Sequence, residues 1–129
     1  MPREILQPKG LFDPRPRYSQ VSRFGKEVYL AGQLGSDAQG NLVGKGDILA
    51  QTRQIFENIK ECLEAVGATF DNVVKINVYL TDIDKQLAAV GKVRQEYFVS
   101  EPVPSTTVGV SRLADPDALV EIEAIAILE

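Results

Sequence analysis

An α+β domain, with helices layered on one face of a β-sheet, is the fold class this chain predicts. Three observations carry that expectation. Apolar and polar residues alternate in several short segments, apolar residues recur at three- and four-residue steps in two longer ones, and the segments follow one another as strands, helix, strand, helix, strands. The 129 residues fit one domain, large enough to bury a core without disulfides or a structural metal. No repeat, linker or low-complexity tract divides 1–129.

Tyr18 to Gln33 reads as two strands around Gly25-Lys26, with glycine at the first central position as a type II′ turn prefers. That register places Tyr18 beside Gln33. A second turn is predicted at Asp37-Ala38-Gln39-Gly40, and Asp47 is placed to cap the helix beyond it. Ile48, Thr52, Ile55, Ile59, Leu63 and Val66 form that helix's apolar stripe, and Gly67 ends it. From Asn72 to Thr81 the chain alternates again, with Val74, Ile76, Val78 and Leu80 on one face and Lys75, Asn77 and Tyr79 on the other. A weaker helix is expected over Lys85 to Ser100, with Leu87, Val90, Val93 and Tyr97 or Phe98 as its apolar positions, before Pro102 and Pro104 stop it.

The last segment predicts a hairpin turning at Ala114-Asp115-Pro116-Asp117. Val120, Ile122, Ala124, Ala126 and Leu128 share one face of its second strand, and Glu121 and Glu123 the other. Pairing Arg112 with Ala118 sets Gly109 against Glu121 and puts Val108 and Val110 beside Val120 and Ile122. Ser105, Thr107, Gly109, Glu121 and Glu123 would then line one surface. The face opposite the helices mixes Lys75, Asn77, Tyr79, Thr107, Glu121 and Glu123 with Leu119, Ile125 and Ile127. Such a face suits a closed homo-oligomer with polar pockets at its interfaces, the alternative being a solvated sheet face.

A net charge of −4 argues against nucleic acid and anionic membrane surfaces as partners, because both reward clustered Lys and Arg. No run approaches the length of a spanning helix, and MPREILQPKG lacks the apolar core of a secretory signal, so a cytoplasmic location is expected. Cys62, the single cysteine, sits among apolar residues as a small buried hydrophobe rather than a reactive thiol. Histidine is absent, which removes Ser-His and Cys-His nucleophiles and H-E-x-x-H metal sites. Acid-base work would fall to carboxylates, Tyr, Lys or water. No cofactor and no metal are called for.

The YSQ at Tyr18, AGQLGSDAQGNLV from Ala31, the NVVKINVYLTD strand and the terminal VEIEAIA together resemble the RidA/YjgF family of reactive-intermediate deaminases over nearly the whole chain. The resemblance implies a chorismate-mutase-like subunit, a mixed sheet with two helices on one face, and a homotrimer around a central β-barrel. It further implies small-molecule pockets at the subunit interfaces that hydrolyse 2-imino or 2-enamino acids to 2-keto acids and ammonia without a cofactor. Carried over by position, Tyr18 and Gly32 are ligand-contacting residues and Glu121 the catalytic carboxylate that positions water. From spacing alone, pairing of Glu121 with Lys75 or another base, and a close backbone approach as the sole role of Gly32, are equally open readings.

The chain departs from the family pattern at P-x-R-S/T-C, which here reads Val103-Pro104-Ser105-Thr106-Thr107. Ser105 stands where the substrate-carboxylate arginine would be and Thr107 where cysteine often is. The helix asparagine of the family appears as Gly91. A guanidinium holds a carboxylate by two charge-assisted bonds worth about 1.5–3 kcal/mol each, whereas serine offers one neutral bond. Arg17 is expected on the opposite strand face, Arg112 away from Ser105, and Arg94 on the wet side of its helix. The implied function is therefore imine or enamine deamination with an altered substrate preference, Ser105 and Thr107 lining the binding site. The alternative is a metabolite-binding trimer, without catalysis, that serves as a sensor or partner of another enzyme. The ribonuclease label sometimes given to the family fits poorly with an acidic chain lacking histidine.

Overall fold

The computed structural model describes residues 2–129. In chain order it contains β1 (Glu4–Leu6), β2 (Val21–Phe24), β3 (Glu27–Gln33), α1 (Ile48–Glu64), β4 (Val73–Leu80), α2 (Ile83–Tyr97), β5 (Ser105–Gly109) and β6 (Val120–Ile127). The strands form one mixed sheet in the order β1-β2-β3-β6-β4-β5. α1 packs over β3 and β6, and α2 over β4, on the same face. That face supplies the core, with Val28, Leu30, Ile76, Val78, Leu80, Ile122 and Ala124 buried beneath Ile55, Ile59, Leu63, Val90 and Val93. Among the described residues no helix is long and apolar enough to cross a membrane.

Local sequence sets most of these boundaries. β2 and β3 turn at Gly25-Lys26 with Phe24 opposite Glu27, and Gly25 takes the positive φ of 61° that the first central position of this turn requires. The Asp37 carboxylate accepts from the Gln39 and Asn41 N–H groups, and the Gly40 N–H donates to the Asp37 carbonyl at 3.0 Å, closing the predicted second turn. Asp47 caps α1 by accepting from the Ala50 N–H at 3.1 Å. At the other end the Ala68 N–H returns to the Leu63 carbonyl across Gly67.

Three expectations are corrected. The terminal segment is not a hairpin: β5 pairs in parallel with β4 through the α2 crossover, and β6 pairs antiparallel with β3 and β4. Alternation fixes which side chains share a face but not which strand lies alongside, and both edges of β6 are taken by longer strands. α2 starts two residues before Lys85 and ends three before Ser100. The Gln86 amide closes its first turn, accepting from the Asp82 N–H and donating to Thr81 Oγ1, and Phe98 leaves the helical conformation to join an aromatic cluster. Leu87 is consequently 46% exposed, off the stripe made by Val90 and Val93. Val74 is 44% exposed because an extra residue in β4 between Val73 and Lys75 rotates it out of the alternation.

Two features fix the helices, one to each other and one to the sheet. Phe56 of α1 stacks on Tyr97 at 5.0 Å with Phe70 and Phe98 around them, while the Tyr97 hydroxyl donates to Glu57 and Arg53 pairs with Glu96. Gln51, fully buried, donates to the carbonyls of Gly44 and Asp117 and accepts from the Leu119 N–H at 2.8 Å. This amide fixes the entry to β6 two residues before Glu121. Gln51→Leu should lower the free energy of unfolding by about 3 kcal/mol, because the Leu119 N–H and two carbonyls lose their buried partner. Urea denaturation would measure it, and a loss under half that size would contradict this role.

Candidate functional site

The site begins with an irregularity in β3. Leu30 pairs with Ala124 but Gln33 with Ile122, so Ala31 and Gly32 hold one residue more than β6 opposes to them. The strand bends there, and the Glu121 side chain lies across Gly32. A Cβ on Gly32 would sit 2.8 Å from the Glu121 carboxyl carbon, closer than real Cβ contacts allow. Any Cβ there would force the Glu121 side chain to shift, although the φ of Gly32 is ordinary.

Beside this contact lies a cleft of about 400 Å³, lined by Leu11, Phe12, Tyr18, Gln20, Ala31, Gly32, Gln33, Leu34, Asn58 and Glu121 among others. Buried amides shape its walls. Gln33 Nε2 donates to Gln20 Oε1 at 2.8 Å, and Gln20 Nε2 to the Phe12 carbonyl at 3.0 Å, which draws the N-terminal segment over the cleft. Asn58 Nδ2 donates to the carbonyls of Leu34 and Ser36 and fixes the opposite wall. Tyr18 stands at the rim, 49% exposed, with the Arg17 guanidinium 5.9 Å from its ring centroid. Strand pairing stops at the hydrogen bond from Ala31 to Gln20, yet Tyr18 and Gln33 still share the cleft.

Two glutamates on one strand face have different fates. Glu123 accepts from Asn77 Nδ2 at 3.1 Å and from the Tyr79 hydroxyl at 2.7 Å, which binds it into the sheet. Glu121 is half-buried with its pKa raised, first by burial and then by the charge of Glu123, and no hydrogen bond among the described residues offsets the shift. Lys75, the alternative partner, instead donates to Thr106 Oγ1 at 2.6 Å. A carboxylate that holds its proton more tightly than ordinary, next to a cleft, suits taking a proton from water. Cys62 is fully buried, and burial pushes its thiol up to about 12, so it is inert as expected.

Tyr18, Gly32 and Glu121 thus come together in one chain, and Ser105 and Thr107 do not join them. The parallel register sets Ser105, Thr107 and Gly109 beside Ile76, Val78 and Leu80 on the helix side, whereas Glu121 lies beside Tyr79 on the other side. Thr106 and Val108 share the Glu121 face instead. The predicted common surface required a hairpin that the parallel β4–β5 pairing replaces. Arg94 also departs from expectation: it is half-buried, and its Nη1 lies 3.4 Å from Ser105 Oγ. Sequence reasoning missed Leu11, Phe12 and Asn58, whose only signal was their type, since the contacts that gather them span tens of residues.

The family model described as Endoribonuclease L-PSP matches residues 10–128. A RutC family protein of Pyrococcus horikoshii is 40% identical over 127 residues, 98% of this chain and 99% of the relative. A Dermatophagoides farinae protein named 2-iminobutanoate/2-iminopropanoate deaminase is 35% identical over 128 residues, 99% of this chain and 98% of the relative. The crystal structure of RidA from an Antarctic Psychrobacter superposes with a TM-score of 0.87 at 36% identity, covering 97% of this chain and 99% of that one. The α+β arrangement of two helices on a mixed sheet is common to both.

Gly32→Ala should fold, because the atoms it crowds end a flexible side chain, but it should push the Glu121 carboxylate toward solvent. Carbon-13 NMR titration would then find the Glu121 pKa lower than in the wild type, closer to the ordinary glutamate range. An unchanged titration would show that Gly32 does not set the position of the acid.

Proposed function

The chain belongs to the RidA/YjgF family, whose model is described as Endoribonuclease L-PSP, and from that premise we propose that it hydrolyses the C=N bond of a small imine, or of the imine tautomer of an enamine, without a cofactor. The observation that carries this reading is the Glu121 carboxylate, free of hydrogen-bond donors and set against Gly32 in a cleft. Glu121 takes a proton from water as the water oxygen adds to the imine carbon. Glu121 passes that proton to the imine nitrogen to complete the carbinolamine, then relays the hydroxyl proton to the same nitrogen as the C–N bond breaks, leaving a carbonyl and ammonia. The name of the Dermatophagoides relative supports this chemistry. RNA cleavage is disfavoured by the net charge of −4 and the absence of histidine.

The proposed working form is a homotrimer around a central β-barrel, with small-molecule sites between subunits. Two observations support it. Tyr29, Val108 and Ile127 are exposed on the sheet face that no helix covers, and β5 has a strand partner on one side only. With Ser105 in place of the family's arginine, β5 carries no cation toward a neighbour's cleft, and substrate preference is altered accordingly.

The assay follows ammonia and keto-acid release from imines generated in situ by an amino-acid oxidase. The wild type should accelerate release over buffer, and Glu121→Gln should lose about 10²- to 10⁴-fold. Because the base acts as the carboxylate, kcat/KM should fall as pH drops through the raised Glu121 pKa, with its inflection above the ordinary glutamate range. No acceleration by the wild type would overturn the enzyme reading, and binding without turnover would assign a metabolite-binding trimer instead.

A further inference from the structure

The guanidinium of Arg94 occupies an unusual place. It projects from α2 with Nη1 3.4 Å from Ser105 Oγ, and Nη2 lies 3.5 Å from where a Cβ on Gly91 would stand. By the resemblance, Ser105 and Gly91 stand where the family's arginine and helix asparagine would be, and both border this one group. A long side chain at 105 would compete for the same space, and a Cβ at 91 would rest in ordinary van der Waals contact with it. Ion pairs among the described residues engage Arg15, Lys45, Arg53 and Lys85, and none engages Arg94. A solvent-exposed guanidinium held by a neutral hydroxyl retains most of its five donors for an incoming anion.

We infer that Arg94 is the specificity-determining cation of the site, holding the carboxylate of an imino- or keto-acid ligand from α2 rather than from β5. The inference rests on the deaminase reading above. Within one chain Arg94 cannot reach Glu121: Ser105 opens β5, which lies beyond β4 from β6, and the two residues lie on opposite faces of the sheet. The open edge of β5 is where a second copy would bring its own cleft, so the composite site joins Arg94 of one copy to Tyr18, Gly32 and Glu121 of the next. The hydroxyl at 105 then orients the guanidinium.

The probes are 2-oxobutanoate and its neutral amide, titrated by NMR against the full-length protein, with light scattering to verify that each variant keeps the wild-type assembly. The wild type should prefer the acid. Arg94→Gln should weaken the acid about tenfold or more while leaving the amide within about twofold, and Arg94→Lys should fall between. Moving the cation back to the strand in the double variant Arg94→Gln/Ser105→Arg should restore the preference, and the remote control Arg23→Gln should change neither ligand. Equal weakening of acid and amide in Arg94→Gln, or no preference in the wild type, would overturn the assignment. The two proposals fail separately. An acid preference that depends on Arg94 in a protein releasing no ammonia would sink the deaminase reading alone, whereas turnover of imino acids with KM unmoved by Arg94→Gln would sink the role of Arg94 alone.

Discussion

The contact between the Glu121 carboxylate and Gly32 is the constraint on which the site depends. A half-buried acid with no donor among the described residues is unfavourable, and the backbone of β6 together with the space left at Gly32 places it there. The extra residue in β3 bends the strand away, glycine removes the side chain that would fill the gap, and the cleft keeps one side of the carboxyl open. Each of these would be a defect in an ordinary sheet. Together they hold an acid with a raised affinity for protons where a small molecule can approach.

The sheet divides its polar groups between structure and chemistry. Glu123, two residues along the same face, is satisfied by Asn77 and Tyr79, and Lys75 is taken up by Thr106. Those pairings satisfy Glu123 and Lys75 and add no donor to Glu121 among the described residues. Gln51 does the corresponding work on the covered face by pinning the loop that delivers β6, so a single buried amide links α1 to the placement of the acid. The fold thus spends its hydrogen bonds on holding Glu121 in place and leaves the carboxylate itself free.

In the proposed composite site, one chain carries half of the arrangement at each end. The cleft with Tyr18, Gly32 and Glu121 opens near the end of β3, while Ser105 and Arg94 sit at the far edge of the sheet. A closed ring of copies brings such ends together repeatedly, and the apolar residues on the uncovered face supply the area such a ring would bury.

The sequence by itself determined the fold class, the strand segments other than β1, the first helix, the approximate extent of the second, the Gly25 and Asp37 turns and the Asp47 cap, and the family resemblance pointed to Tyr18, Gly32 and Glu121, which the structure sets around one cleft. These are legible because periodicity and turn chemistry act over a few residues, and because the family motifs keep their order along nearly the whole chain. Only the tertiary structure decided that β5 lies parallel to β4, that Ser105 and Thr107 therefore face the helices, that Glu123 and not Glu121 takes the donors, and that Arg94 turns inward to Ser105. The reason is physical. Alternation records which side of a strand is buried but carries no label for the neighbour, and a long side chain such as arginine chooses its direction from space left by residues distant in sequence.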